Sequence, residues 1–400
     1  MDVGFLGLND ERIKTNGGYY SPYGDALRDL ERDSGLSFLC FDISIKKTFS
    51  TYYPCIDISF GYYFARFIGK LYSFLHRKKN LPIDLKASQQ WCIEKNLPNH
   101  ILNNYYFKDS YYLILFLKKY FQKVISKHKL KICFVSTWYS NYGMALSWAA
   151  KEQAIPCYDL QHGIAGASSS RVYSSWAKIP KEGYALIPSG FWCWTTEDAI
   201  AVDQWGSNQI PPVRTVVGGC VWQRLWLEQK QPREIFKVSS TVKKLTANSE
   251  TNILFTMQGE NPPEILFDLL ENSPSEWNWW IRCHPMMIEK LDVYEKVFSR
   301  FDTNLNVREA SLTFLPNLLS MVDVHVTGWS AVTYDAFSFG LKTILVHPSA
   351  NHFFELFISS KQAFYLEGWE EIISFIESNK INLRFDRSIK KYDSINCLIN

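Results

Sequence analysis

Short unbroken apolar runs alternate along the whole chain with stretches of helical spacing. Runs of four to seven apolar residues bounded by glycine or polar loops suit strands buried on both faces of a parallel sheet. In the first half such runs are Val3–Leu8, Ser37–Phe41, Ile132–Ser136, Ala154–Leu160, Phe191–Thr195 and Arg214–Val217, and Tyr142–Glu152 has helical periodicity between two of them. In the second half the strands are predicted at Asn252–Met257, Trp279–Cys283, Val324–Val326 and Thr343–Val346. Helices are predicted there at Pro263–Leu270, Pro285–Phe298, Ala331–Phe339 and Trp369–Ile376. This alternation predicts an α/β fold. The stretch Trp226–Ser249, rich in Gln, Lys, Ser and Thr, reads as a linker.

Length agrees with two cores, since 400 residues exceed what one hydrophobic core usually organises. The expected division is an N-terminal Rossmann-like domain over 1–235, a second over 236–380, and a tail over 381–400 packing back on the first. Composition is that of a globular protein, 46% hydrophobic and 21% charged, with an aromatic share of 16% that mostly fills cores. A net charge of +3 excludes the basic footprint of a nucleic-acid-binding protein. Nine scattered cysteines without a C-x-x-C pair argue against a disulfide framework or zinc site and for a reducing cytoplasm. No apolar run is long enough to span a bilayer. Two basic-aromatic stretches, 66–79 and 105–131, suit either an ordinary solvated helix face or contact with anionic lipid at the inner face of the cytoplasmic membrane.

Ligands of open parallel sheets bind beyond the carboxyl ends of the strands, so candidate chemistry is sought there. In the first half, Cys157-Tyr-Asp-Leu-Gln-His-Gly163 ends a predicted strand. Asp159 suits a general base or nucleophile and His162 an acid/base or phosphate contact, and both equally suit a cap and a satisfied structural histidine. Gln161, the serines before Arg171, and Arg171 itself offer groups for a sugar or phosphate, while Asn16-Gly17-Gly18 forms a turn that faces a ligand or only solvent. In the second half three strand ends carry polar groups: Thr256, Gln258 and Gly259; Arg282, His284 and Pro285; and Gly328, Ser330 and Asp335. A serine opening a helix after a glycine turn would present amides and a hydroxyl to a phosphate. There is no G-x-G-x-x-G after the first strand, no Walker loop and no G-x-S-x-G elbow. No Asp-x-Asp clamp appears, so neither a metal nor a cofactor is implied.

Together these motifs resemble bacterial capsule and lipopolysaccharide glycosyltransferases of the GT-B type, over about residues 130–350. The resemblance rests on Gln161-His162-Gly163, on Gly183-Tyr184 through Phe191-Trp192-Cys193-Trp194, and on Val217-Gly218-Gly219 with Trp222. His284-Pro285, and Ser330 followed by Asp335, complete it. It implies two Rossmann-like domains facing across a cleft, the first for acceptor and the second for a nucleotide-sugar. The His-Pro and Ser motifs look like those of enzymes that use cytidine nucleotides, including bacterial sialyltransferases, Kdo transferases and teichoic-acid glycerophosphotransferases. The first of these groups would put the base on Asp159 and the last on His162. Asp335 stands where the family usually has Glu, and Trp329-Ser330 replaces a serine pair. The implied function is transfer of a sugar, such as Kdo from CMP-Kdo, onto a lipid-linked or surface polysaccharide such as O-antigen or capsule. A UDP- or GDP-hexose transferase, a nucleotide-sugar epimerase and a non-catalytic polysaccharide-binding protein are the alternatives.

Overall fold

Each half of the chain winds a parallel sheet from a central first strand outward, first to one side and then to the other. The computed structural model describes residues 1–8, 12–43, 50–76, 93–94, 104–163, 184–234, 236–384 and 394–399. It divides into two compact units, Met1–Trp222 with Tyr392–Asn400, and Gln223–Lys391.

The first unit contains strands β1 (Val3–Leu8), β4 (Phe38–Ile43), β5 (Cys55–Asp57), β6 (Ile132–Val135), β7 (Cys157–Leu160), β8 (Gly190–Cys193) and β9 (Arg214–Val217). Their spatial order is β5-β4-β1-β6-β7-β8-β9, all parallel. The order therefore reverses between β1 and β6, the switch point of a doubly wound sheet. A hairpin of β2 (Ile13–Thr15) and β3 (Gly18–Tyr20) follows the first strand. Helices Ser59–Leu75, Asn104–His128 and Asn141–Glu152 belong to this unit, and Leu117, Phe121 and Ile125 of the second pack into the core with Val135, Leu146 and Ala149.

The second unit contains β10 (Thr251–Thr256), β11 (Trp277–Arg282), β12 (Asn304–Asn306), β13 (Val324–Thr327), β14 (Thr343–Leu345) and β15 (Ala363–Tyr365), ordered β12-β11-β10-β13-β14-β15. Here the reversal lies between β10 and β13. Every residue of β10 is buried, as a strand covered on both faces requires. Much of the aromatic excess is core: Trp277, Trp279 and Trp280 of β11 have no exposed surface. The indole of Trp280 donates to the side-chain oxygen of Asn252 at 3.1 Å, so this ring buries its area without orphaning its N–H.

The stretch expected as a linker is folded. Helices Val221–Leu227 and Ser240–Ala247 occupy its ends, the latter capped by the Ser239 hydroxyl accepting from Val242 N at 3.1 Å. Trp226 packs on Phe236 and donates its indole N–H to Asn317 at 2.6 Å. Polar composition alone hid three apolar anchors, Trp226, Phe236 and Val242.

Candidate active site

In the second unit the parallel register brings the candidate strand ends level. Thr256 of β10 stands beside Arg282 of β11 on one side and Thr327 of β13 on the other, and Thr327 stands beside Leu345 of β14. The four loops that follow consequently leave the sheet at one height. Two of them, after β10 and β13, flank the switch point, and there the Gln258 side-chain oxygen accepts the N–H of Trp329 at 2.6 Å. Gly328 makes that approach feasible: a Cβ on it would stand 2.9 Å from the same Gln258 oxygen. Around Gly259 a Cβ would meet only open space.

The loops after β11 and β14 repeat one device. The Nδ1 of His284 accepts from Met286 N at 3.3 Å, and the Nδ1 of His347 accepts from Ser349 N at 3.2 Å, each across an intervening proline. Acceptance at Nδ1 fixes the tautomer that carries its proton on Nε2. Each ring is thereby oriented by its own turn with an N–H donor at the far nitrogen. His284 is exposed, and His347 lies against the half-exposed Trp329 with ring centroids 4.0 Å apart. Sequence reading noted Trp329 only as standing in place of a serine and missed His347; the signal for the latter was a second His-Pro pair placed after a strand, as at His284-Pro285.

The other candidates of this unit are occupied within the fold. Arg282 gives its guanidinium to the carbonyls of Ala310 and Thr313 at 2.5 and 2.6 Å, and burial pulls its pKa down to about 10. Thr256 shares its hydroxyl with Nε2 of the fully buried His325 at 2.9 Å, whose Nδ1 meets the Thr343 hydroxyl at 3.1 Å; burial lowers that imidazole to about 3. Asp335 accepts from the Gln223 amide, and burial raises its carboxyl to about 6. Ser330 does not open the helix itself. The helix spans Val332–Ser338, and the Ser330 hydroxyl accepts from Val332 N at 3.3 Å.

In the first unit Asp159 and His162 diverge in environment. Asp159 has no exposed surface, and its carboxylate accepts the N–H of Trp138 at 2.9 Å, tying the end of β7 to the loop after β6. His162 is half-buried, and its Nε2 lies 3.0 Å from the hydroxyl of Tyr139 on that same loop. Burial lowers the His162 pKa, opposed by a backbone hydrogen bond to Leu160, so the ring favours its neutral, proton-accepting form. Tyr139, exposed on that loop next to Trp138, gave no sequence signal. Gln161 is buried: its amide donates to Gly163 O at 2.8 Å and Asp198 at 3.0 Å, and its oxygen accepts from Trp194 N at 2.7 Å. Three bonds of this kind clamp the ends of β7 and β8.

Asn16-Gly17 is the two-residue turn of the β2–β3 hairpin. Gly18 has φ +121°, and a Cβ there would press within 2.8 Å of Ser50 O, so glycine is required by backbone and neighbour alike. The hairpin is anchored by the buried Arg12, which donates to the buried Asp42 at 2.6 Å and Asp25 at 2.9 Å and to Tyr19 O at 3.2 Å. Burial raises Asp25 to about 6 in spite of that cation. These three ionic residues lie 13 to 30 positions apart, beyond any local pattern. Arg171 and the serines before it lie outside the described residues. Among the described residues no cluster of three His, Cys, Asp or Glu is placed to hold a metal.

No protein-family model and no curated protein matches the sequence. Solved structures do match along nearly the whole chain. A UDP-N-acetylglucosamine 2-epimerase superposes with a TM-score of 0.53 at 12% identity, over 96% of this chain and 88% of that one. The UDP-GlcNAc 2-epimerase of Methanocaldococcus jannaschii gives 0.51 at 12% identity, over 98% and 95%. S. aureus MnaA, solved with UDP, gives 0.50 at 10% identity, over 96% and 88%. At such identities the likeness is one of fold, and the fold is GT-B: two Rossmann-like α/β units.

Proposed function

We propose that this chain is a glycosyltransferase that takes a sugar from a nucleotide-activated donor, with a CMP-sugar such as CMP-Kdo as the donor of choice. The observation that carries this reading is the convergence of donors at the second unit's strand ends, across the switch point where doubly wound sheets bind nucleotides. Nε2–H of His284, Nε2–H of His347 and the Ser330 hydroxyl are the groups offered to phosphate, with Trp329 as a flat apolar surface for a base or sugar ring. Segments 257–259, 283–286, 328–331 and 346–349 contain no Lys or Arg. Arg282, at a strand end, is committed to two carbonyls. Neutral dipolar donors suit the single negative charge of a CMP-sugar phosphodiester better than the two charges of a diphosphate.

For the chemistry we assign His162 as the base that deprotonates the acceptor hydroxyl, and Asp159 as a positioning residue. A half-buried imidazole held below its ordinary pKa is unprotonated near neutrality and can take a proton. The Asp159 carboxylate, without exposed surface and bonded to Trp138 N, holds the loop that carries Tyr139. Gln161 and Gly18 act through the backbone they hold. The acceptor class, a lipid-linked or surface polysaccharide, rests on the sequence resemblance alone.

Thermal-shift titration with CMP, UDP and GDP tests the donor. A ligand at 100 times its dissociation constant stabilises the fold by about 2.7 kcal/mol. CMP should shift the midpoint most, and a shift by UDP alone would move the assignment to a UDP-sugar. The structural neighbours named for UDP-GlcNAc 2-epimerases favour a second reading, a UDP-sugar epimerase. Release of UDP and free sugar from UDP-GlcNAc without any acceptor would favour it; acceptor-dependent nucleotide release favours transfer.

A further inference from the structure

The helix Ser59–Leu75 is built inside out. Its buried positions are the small residues Ala65, Gly69 and Ser73, one turn apart, facing the helix Asn104–His128 so closely that a Cβ on Gly69 would stand 3.0 Å from Leu113 N. Its large side chains point away. Phe60, Phe64 and Phe67 are 85%, 57% and 65% exposed, and Tyr63, Leu71 and Leu75 continue the same stripe. These six positions recur at three- and four-residue spacing, so they occupy one face. A water-facing helix normally reverses this arrangement, and contiguous exposed apolar faces of this size mark contact surfaces.

Cations frame the stripe. Arg66 and Lys70 are exposed on its flank. Beside it an open groove of about 540 Å³ runs between the two helices, with Phe60, Phe64 and Phe116 in its walls, Lys119 and Lys123 on the neighbouring helix, and Asp57 as its one acid. No described helix is long and apolar enough to cross a membrane. Two cations within 17 residues are likewise unsuited to a span, whereas they suit a helix lying flat at a headgroup layer.

We propose that this face lies in the interfacial region of an anionic phospholipid bilayer, with the three phenylalanines below the headgroups and Arg66, Lys70, Lys119 and Lys123 against lipid phosphates. Charge decides this occupant over a second copy of the chain. A two-fold contact through the same face would set these cations against themselves, since both copies present the same patch. An anionic surface attracts all four. The inference is independent of the proposed chemistry and uses none of its residues.

The test is sedimentation of the full chain with vesicles of phosphatidylcholine alone and of equal parts phosphatidylcholine and phosphatidylglycerol. Binding to the anionic vesicles only, weakened by added salt, is the expected result. The variant Phe60→Ser/Phe64→Ser/Phe67→Ser should lose it, and the same positions changed to Leu should keep it. Arg66→Gln/Lys70→Gln should weaken it roughly thirtyfold, the sum of two surface charges. Thermal unfolding of each variant checks that the fold is intact, and all five side chains are exposed. Three outcomes overturn the proposal: no binding of the wild type to anionic vesicles, equal binding by the serine variant, or a wild-type dimer that the serine variant abolishes.

Discussion

The side chain of Gln258 and the main chain of Trp329 are joined at 2.6 Å across the switch point of the second sheet. This bond is the closest tie between the two loops that flank the proposed nucleotide site. Gly328→Ala would put a Cβ 2.9 Å from the Gln258 oxygen and push that side chain aside. The expected result is nucleotide affinity lowered by about 1–2 kcal/mol, the worth of one hydrogen bond plus a displaced loop. Gln258→Ala should do similar damage, and the double variant should cost clearly less than the sum, because both act on one bond. Additive losses in calorimetric titration would show the two residues to be independent.

His284 and His347 should behave as a matched pair. Loss of an Nε2–H donor to phosphate costs about 1.5–3 kcal/mol, so His284→Ala and His347→Ala should each weaken nucleotide binding roughly tenfold or more. Glutamine can offer an N–H near the Nε2 position, so His284→Gln and His347→Gln should recover part of the loss. If only His284→Ala weakens binding, the second His-Pro turn is structural.

The acid limb of turnover should belong to His162. Its pKa is lowered, so kcat/KM should fall only as pH drops below the ordinary histidine value near 6.5. His162→Gln should remove that limb and lower turnover by roughly 10²–10⁴-fold. Asp159→Asn should reduce activity with the pH profile retained and should also lower the melting temperature, as a buried carboxylate bonded to Trp138 N is replaced. A profile lost in Asp159→Asn and kept in His162→Gln would reverse the two roles.

His325 should make the fold sensitive to acid. Its folded pKa of about 3 lies below the 6.5 of an unstructured histidine. Between those values the unfolded chain binds a proton that the folded chain does not, so stability is full above pH 6.5 and declines as pH falls towards 3. The slope of this group is about 1.4 kcal/mol per pH unit inside that window. In His325→Gln, denaturant unfolding at stepped pH should show that increment missing, whatever the variant's own stability. Identical slopes in both proteins would refute the assignment.

What the sequence disclosed depended on how each element is stabilised. Val3–Gly7 and β10 are runs buried on two faces, and such runs announce themselves. The three-residue strands Cys55–Asp57, Asn304–Asn306 and Ala363–Tyr365 lie on the outer parts of their sheets, where few side chains need be apolar, and none was readable. The strand-end residues Thr256 and Arg282 were legible because parallel strands deliver their last side chains at one level. Their partners were not, since a polar residue at a strand end looks the same whether it faces a ligand or, like Arg282 and Gln161, clamps a neighbouring backbone. The Arg12, Asp25 and Asp42 network is assembled by topology, and no spacing rule reaches it.

The last described turn belongs to the first unit: Ile395 has no exposed surface, and its N–H donates to Glu31 at 3.3 Å. The second unit is therefore an insertion, entered at Trp222 and left at Tyr392. Truncation after Lys391 would spare the second unit and uncover an apolar site on the first, so a shortened protein would betray itself by damage at the opposite end of the sequence. Production of the first unit alone calls for joining Trp222 to Tyr392, and the second unit is excised most cleanly as Gln223–Lys391.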